Sequence, residues 1–192
     1  MTQSASFDVV QLANWPATRG LGQDGRARLD DLLGEREGVD LVIDFAGVEA
    51  MNISFADEFL GKFLASHDFS TNGTTVKLAG LNADNLYTVV VCVERRGTQV
   101  VVVEPDGNLA LVGEKMLADT FDKALTLGKF KANDLAVALS LTAQNANNRL
   151  KRLAQAGAIR KAQVTGSTRG GREYMYEVLP SEVADPAQLT SA

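Results

Sequence analysis

The chain has 192 residues but only one cysteine, Cys92, and one histidine, His67. A lone thiol forms no internal disulfide, and one Cys with one His builds no cysteine zinc site. The same scarcity leaves little room for catalytic triads or histidine–metal centres. Cys92 lies in the apolar run Val-Val-Val-Cys-Val, the setting of an inert buried thiol. Aromatic residues are 6% of the chain, and no stretch approaches the roughly 18 consecutive apolar residues that span a bilayer. The opening Met1-Thr-Gln-Ser-Ala-Ser-Phe has neither the basic region nor the apolar run of a signal peptide. The expectation is a soluble cytoplasmic protein with no membrane partner, cofactor, metal or catalytic residue.

What is present is an ordinary globular composition, 45% hydrophobic and 22% charged. The net charge of −5 hides a division. Residues 1–113 hold 8 Lys/Arg against 16 Asp/Glu, a net of −8, whereas residues 114–179 hold 11 against 6, a net of +5. An acidic body joined to a basic module predicts two domains with different partners, the basic one suited to an anionic polymer.

The first part alternates strands and helices. Phe7–Leu12 is strand-like, Ala17–Gly25 is turn-rich, and Leu29, Leu32 and Leu33 then recur at helical spacing. Val39–Phe45 is a dense apolar strand of the kind buried on both faces of a parallel sheet. A helix follows from Ser54, with Phe55, Phe59 and Phe63 in one stripe. Further strands are expected at 74–81 and 99–104, a helix from Asn82, and a hairpin turning at Pro105-Asp-Gly-Asn into Leu109–Val112. This order defines an α/β sheet-and-helix domain. Gly20-Leu-Gly-Gln-Asp-Gly fits the dinucleotide pattern G-x-G-x-x-G. The residues before it, Asn14-Trp-Pro-Ala-Thr-Arg, do not form the strand that fingerprint requires, so the glycines read as a flexible turn.

At the helix from Ser54, the serine is a candidate N-cap and Asp57 its capping-box partner, with Glu58 also in the first turn. Adjacent carboxylates diverge by about 100° on a helix and do not converge on one atom. The run Val42-Ile-Asp-Phe-Ala-Gly-Val-Glu-Ala-Met-Asn-Ile-Ser-Phe-Ala-Asp-Glu-Phe resembles the STAS-like domains of unknown function, relatives of bacterial anti-sigma-factor antagonists. The resemblance covers about residues 7–104. In the antagonists an Asp-Ser-Ser/Thr-Gly turn precedes this helix and a serine is phosphorylated by a partner kinase. Here Asn52 aligns with the aspartate, Ile53 with the usual phosphoacceptor, Ser54 with the next position and Phe55 with the glycine. The resemblance implies a protein-binding domain rather than an enzyme. Ser54, Asp57 and Glu58 become candidates for partner binding, and Ser54 is the position left for a phosphoswitch.

From Glu114 the period is helical three times over. Met116, Leu117, Phe121, Leu125 and Leu127 form a stripe closed by Gly128; Lys131–Leu141 is a second helix with Asn133 a possible cap; Thr142 caps a third, closed by Gly157. On the third helix Ala146, Leu150 and Leu153 face a core. Gln144, Asn148, Lys151, Arg152 and Gln155 fall opposite, flanked by Asn145, Asn147 and Arg149, and no acid interrupts them. Asn, Gln and Arg are the side chains that pair with adenine and guanine edges in the major groove. Two strand-like runs, 159–165 and 172–179, are joined by a Gly-rich loop bearing Arg169. Helices Leu135-Ala136 and Asn147-Asn148-Arg149-Leu150-Lys151-Arg152-Leu153, then Gly157-Ala-Ile and the hairpin, resemble the winged helix-turn-helix domains of bacterial regulators.

That resemblance implies double-stranded DNA as partner. Gln144, Asn145 and Asn148 would reach bases, and Arg149, Lys151, Arg152, Lys161, Arg169 and Arg172 would neutralise phosphates. The expected organisation is a STAS-like domain at 1–113, a winged helix at 114–179 and a disordered tail at 180–192. The expected function is a sequence-specific transcriptional regulator, acting as a homodimer. The alternative is a partner-switching regulator whose STAS-like domain binds a kinase or sigma-control protein while the winged helix makes protein contacts.

Overall fold

The computed structural model describes residues 3–164 and 173–180. Strands β1 (Gln3–Asp8), β2 (Val39–Asp44), β3 (Thr75–Ala79) and β4 (Val100–Val103) are parallel and lie in chain order, and β5 (Leu109–Val112) returns antiparallel beside β4. Helices α1 (Arg19–Leu33), α2 and α3 (Ala83–Arg96) make the crossovers. Helix α2 is continuous from α-helical Ile53–Ala56 through a π-helical turn at Asp57–Gly61 to α-helical Lys62–Ser66.

Side chains alternate across a strand, and the β2, β3 and β4 runs are apolar on the helix-bearing face. Val39, Leu41, Ile43, Val76, Leu78, Val100 and Val102 form one core with Leu29 and Leu33 of α1, the three α2 phenylalanines, and Val89, Cys92 and Val93 of α3. The first strand begins earlier than its apolar residues suggest, and Val9–Gln11 closes it as a 3-10 turn. The expected turn at 17–25 is helix instead. Thr18 caps α1 through its side chain, and Gly22 and Gly25 are buried against α2. A Cβ on Gly22 would stand 2.9 Å from both the Phe55 carbonyl oxygen and Glu58 Cβ, and one on Gly25 would stand 2.9 Å from the Phe59 ring. Gly22 lets the two helix backbones touch, and Gly25 makes room for the Phe59 ring.

The opposite face of the sheet is covered by the second half of the chain. Helices α4 (Lys115–Leu127), α5 (Ala132–Ala138) and α6 (Ala143–Gln155) precede and join a three-stranded antiparallel sheet in which β8 (Tyr174–Glu177) lies between β6 (Lys129–Lys131) and β7 (Arg160–Gln163). Gly128 ends α4 and Thr142 caps α6, as their positions predict. Lys131 rather than Asn133 caps α5, its backbone N–H donating to Asp134. Ser140, between α5 and α6, takes φ +53°, a conformation that side chains rarely adopt. The second core gathers Leu117, Phe121, Leu135, Leu150, Leu153 and Tyr176, together with Val101 and Leu111 from the second face of the parallel sheet.

Polar contacts join the same two layers. Val76 N–H donates to the Gly157 carbonyl (2.9 Å) and Phe69 N–H to that of Gln155 (3.1 Å). Arg160 donates to the Gly38 and Gly73 carbonyls, each at 3.0 Å. On the covered face, Lys77 Nζ donates to both oxygens of Asp40 (2.7 and 2.9 Å) and to the Pro180 carbonyl (3.2 Å), while the Thr75 hydroxyl donates to Asp40 (2.6 Å). Lys77 is 3% exposed, so this ion pair is cut off from water.

Two outcomes follow for urea unfolding. Gly22→Ala overpacks the α1–α2 contact and costs roughly 1–3 kcal/mol, whereas Gly20→Ala, with open space around its Cβ, is neutral or stabilising by up to about 1 kcal/mol. Lys77→Met, which strands the Asp40 carboxylate, costs roughly 3–5 kcal/mol, and the double variant Asp40→Leu/Lys77→Met recovers most of it.

Candidate functional site

Two regions carry the polar residues singled out by the sequence. The first is the start of α2. Asn52, not Ser54, is the N-cap: its side-chain oxygen accepts from Ser54 N–H at 2.7 Å. Ser54 is therefore the second helical residue, half-buried. Asp57 does not reach back to the helix start. It accepts from Arg96 Nε and Nη2 (2.7 and 2.8 Å), a bidentate pair that joins α2 to α3. The guanidinium passes over Gly61, where a Cβ would stand 2.9 Å from Arg96 Nε. Glu58, 4% exposed, turns to the other side and accepts from Lys62 (2.7 and 2.8 Å) and Arg26 (3.3 Å) of α1. The adjacent carboxylates diverge, as helix geometry requires, and each ties α2 to a neighbour.

Their electrostatics follow from those partners. The Arg96 hydrogen bond, opposed by burial, holds the Asp57 carboxyl below its ordinary value, and the Lys62 hydrogen bond does the same for Glu58. Burial pushes the Cys92 thiol up to about 11, so its thiolate is absent at neutral pH. Among the described residues no group of three or more His, Cys, Asp or Glu side chains is placed to hold a metal ion, and no helix is long and apolar enough to cross a membrane.

The second region is α6. Ala146, Leu150, Leu153 and Ala154 are buried in the second core. Gln144, Asn145, Asn147, Asn148 and Lys151 are exposed, and Gln144 Nε2 donates to Asn148 Oδ1 at 3.1 Å. Arg149 and Arg152 are half-buried on one flank. Arg149 Nη1 donates to the Thr120 hydroxyl of α4 (3.1 Å), and Arg152 is ion-paired with Glu114, the residue preceding α4. Gln155, at the end of the helix, donates to Asp68 of the first half (3.1 Å). The polar face thus divides along its length. Its N-terminal part opens to solvent, and its C-terminal part turns toward the parallel sheet's side of the molecule. Lys161 on β7 lies over the Tyr174 ring, 3.9 Å from its centroid. Arg169 and Arg172 lie outside the described residues.

Three neighbours of the exposed face, Lys131, Glu173 and Tyr174, were not site candidates from sequence. Lys131, Asn133, Asn147, Glu173 and Tyr174 line a cavity of about 210 Å³, and Lys131 pairs with Glu173 at 2.8 Å. Their signal was weak, because β6 is three residues long and its pairing with β8 is distant in sequence.

Residues 26–86 match the family model of the STAS-like domain of unknown function (DUF4325). The matched segment runs from within α1 through β2, α2 and β3 into α3. No curated protein and no solved structure matches the chain.

The ion pairs at α2 set an acid limit. A carboxylate held below its unfolded value stabilises the fold above that value, and the contribution is lost as pH falls through the folded one. Urea midpoints are therefore expected to fall as pH drops below the ordinary carboxylate range. Asp57→Asn should cost roughly 1.5–3 kcal/mol at pH 7 and flatten that acid limb.

Proposed function

We propose that the chain is a sequence-specific DNA-binding transcriptional regulator, in which residues 114–179 act as a winged helix-turn-helix and the STAS-like half as a sensory or protein-interaction domain. The observation that carries this reading is the open face of α6. Gln144, Asn145, Asn147, Asn148 and Lys151 are exposed together, and the helix contains no acidic residue. Amides and cations without an acid suit a surface that meets base edges and phosphates, and acids there would repel the backbone. The most open residues lie in the first half of the helix, the part that contacts base edges in helix-turn-helix docking.

The roles separate along the helix. Gln144, Asn145 and Asn148 are the base-contact candidates and Lys151 a phosphate contact. Arg149 and Arg152 would serve phosphates only by leaving Thr120 and Glu114. Lys161 supports the hairpin side. A homodimer belongs to this reading, since two-fold operators are read by paired modules.

A second reading is favoured by Ser54. At the second position of α2 and half-buried, a phosphoryl group there would meet the positive end of the helix. In that arrangement the STAS-like half binds a kinase or sigma-control protein and α6 makes protein contacts.

Fluorescence anisotropy with mixed-sequence duplex, followed by site selection, separates the two. Binding should weaken steeply with salt. Lys151→Ala should lower affinity for all duplexes and reduce the salt slope by about 1. Gln144→Ala or Asn148→Ala should cost roughly 1–3 kcal/mol on the selected site and little elsewhere. No binding at low salt would overturn the DNA reading and leave partner switching.

A further inference from the structure

Strand β1 is an edge of the parallel sheet: β2 lies on one side of it, and among the described residues no strand lies on the other. Gln3 stands beside Val39 and its N–H donates to the Gly38 carbonyl (3.3 Å). A strand residue points its N–H and C=O to the same side, and the next residue points them to the other. Gln3, Ala5 and Phe7 therefore bond toward β2, whereas Ser4 and Ser6 turn their backbone groups outward, where no described residue meets them. Open edges are normally blunted by shortness, lysine or proline. The other edge strands follow that rule: β5 has four residues, β6 has three with Lys129 and Lys131 among them, and β7 has four with Arg160 and Lys161. β1 has six residues, Gln-Ser-Ala-Ser-Phe-Asp, with no Lys, Arg or Pro and with its one charge at the end.

Apolar side chains flank this edge. Ala5 and Phe7 are half-buried at the margin of the first core, and so are Leu21 and Leu32 of α1. Eleven residues of helix bring Leu21 and Leu32 to within about 20° of one another, on one face. That face lies roughly 120–140° round the helix from Arg26, whose guanidinium reaches Glu58 of α2. It is therefore the flank turned away from α2, on the side of the β1 edge, with Arg28 exposed between the two leucines.

We propose that β1 pairs antiparallel with β1 of a second copy of this chain about a two-fold axis, so that the sheet runs on through the dimer and Ala5, Phe7, Leu21 and Leu32 are closed from water. A second copy fits because the strand is complementary to itself. Keeping the helix-bearing faces on one side requires the axis to pass through Ala5 or through Ser6. Through Ala5, Ser4 of each copy meets Ser6 of the other; through Ser6, that residue meets its own copy and Ser4 meets Asp8. In both registers outward backbone groups face outward backbone groups, small side chains stand at the centre, and the two Asp8 carboxylates are not opposed. One patch used by both copies is the contact of a closed dimer. The pairing supplies a surface for the homodimer of the DNA reading and rests on that reading for its role, though not for its geometry.

Sedimentation equilibrium of the full chain without DNA, joined to backbone amide exchange by NMR, tests the pairing. The chain should dimerise with Kd below about 0.1 mM. In the dimer the Ser4 and Ser6 amides should exchange as slowly as those of Ala5 and Phe7, and dilution to monomer should make the two serine amides fast. Ser6→Pro removes an outward N–H and leaves the bonds to β2 in place. Counted twice across the axis, it should weaken dimerisation about 10–100-fold with circular dichroism unchanged. Leu32→Glu should weaken it without touching the strand. A chain that stays monomeric well above that concentration sinks the proposal, as it would if another segment of the same chain covered β1. A dimer that Ser6→Pro leaves intact, with fast Ser4 and Ser6 amides, sinks it too, because the second copy then sits elsewhere. Duplex binding is read separately by anisotropy: a monomer that binds DNA overturns the pairing alone, and a β1-paired dimer that binds none overturns the DNA reading alone.

Discussion

A parallel sheet has two faces to bury, and this one covers them with different parts of the same chain. Helices α1 to α3 take one face. Were the other left open, Val101 and Leu111 would meet water and the Lys77–Asp40 pair would lie in solvent, where such pairs contribute little. The second half supplies the missing layer, with Leu117 and Phe121 in one core with Val101 and Leu111, and the Pro180 carbonyl on Lys77. The position of α6 relative to the first half depends on this burial, because Gln155, Gly157 and Arg160 are bonded to it.

The same constraint explains a lysine in the middle of a buried strand. A hydrocarbon at position 77 would satisfy a fully apolar face, but the Asp40 carboxylate would then keep only the Thr75 hydroxyl as donor, and the Pro180 carbonyl would lose Lys77. A buried ion pair stabilises little against a well-packed apolar substitute, and its use is to fix one arrangement of the layers against others. Here the third acceptor is a carbonyl at the end of the described chain, so the pair orients the segment after β8 on the sheet.

How much was legible in the sequence divides along physical lines. Signals that act within a few residues read correctly: the β-branched strands, the Gly128 stop, the Thr142 cap and the hairpin at 105–108. Signals that depend on a distant neighbour did not. Gly22 and Gly25 look like turn residues until the α2 backbone is placed against the first and the Phe59 ring against the second, after which they are the residues that fit. Ser54 looks like the better cap, yet Asn52 holds that position, and Asp57 answers to Arg96, 39 residues away. The polar face of α6 was legible as a pattern, because helix periodicity is local. Its division was not, because Glu114 approaches only when α4 meets α6, and Asp68 only when the two layers assemble.

The π-turn in α2 belongs with these non-local effects. Such turns are rare, and they arise where a helix must re-aim side chains partway along its length. In α2 the turn spans Asp57–Gly61, the stretch from which one carboxylate reaches α3 and the next reaches α1. Gly61 is the one residue of the turn without a side chain, and Arg96 occupies the space that one would need. The turn, the glycine and the two diverging ion pairs are therefore parts of one arrangement that holds α2 between its neighbours, with Asn52 and Ser54 at its outward end. The acidic residues there are committed to structure, and the first turn of α2 holds Ser54 half-buried at the positive pole of the helix.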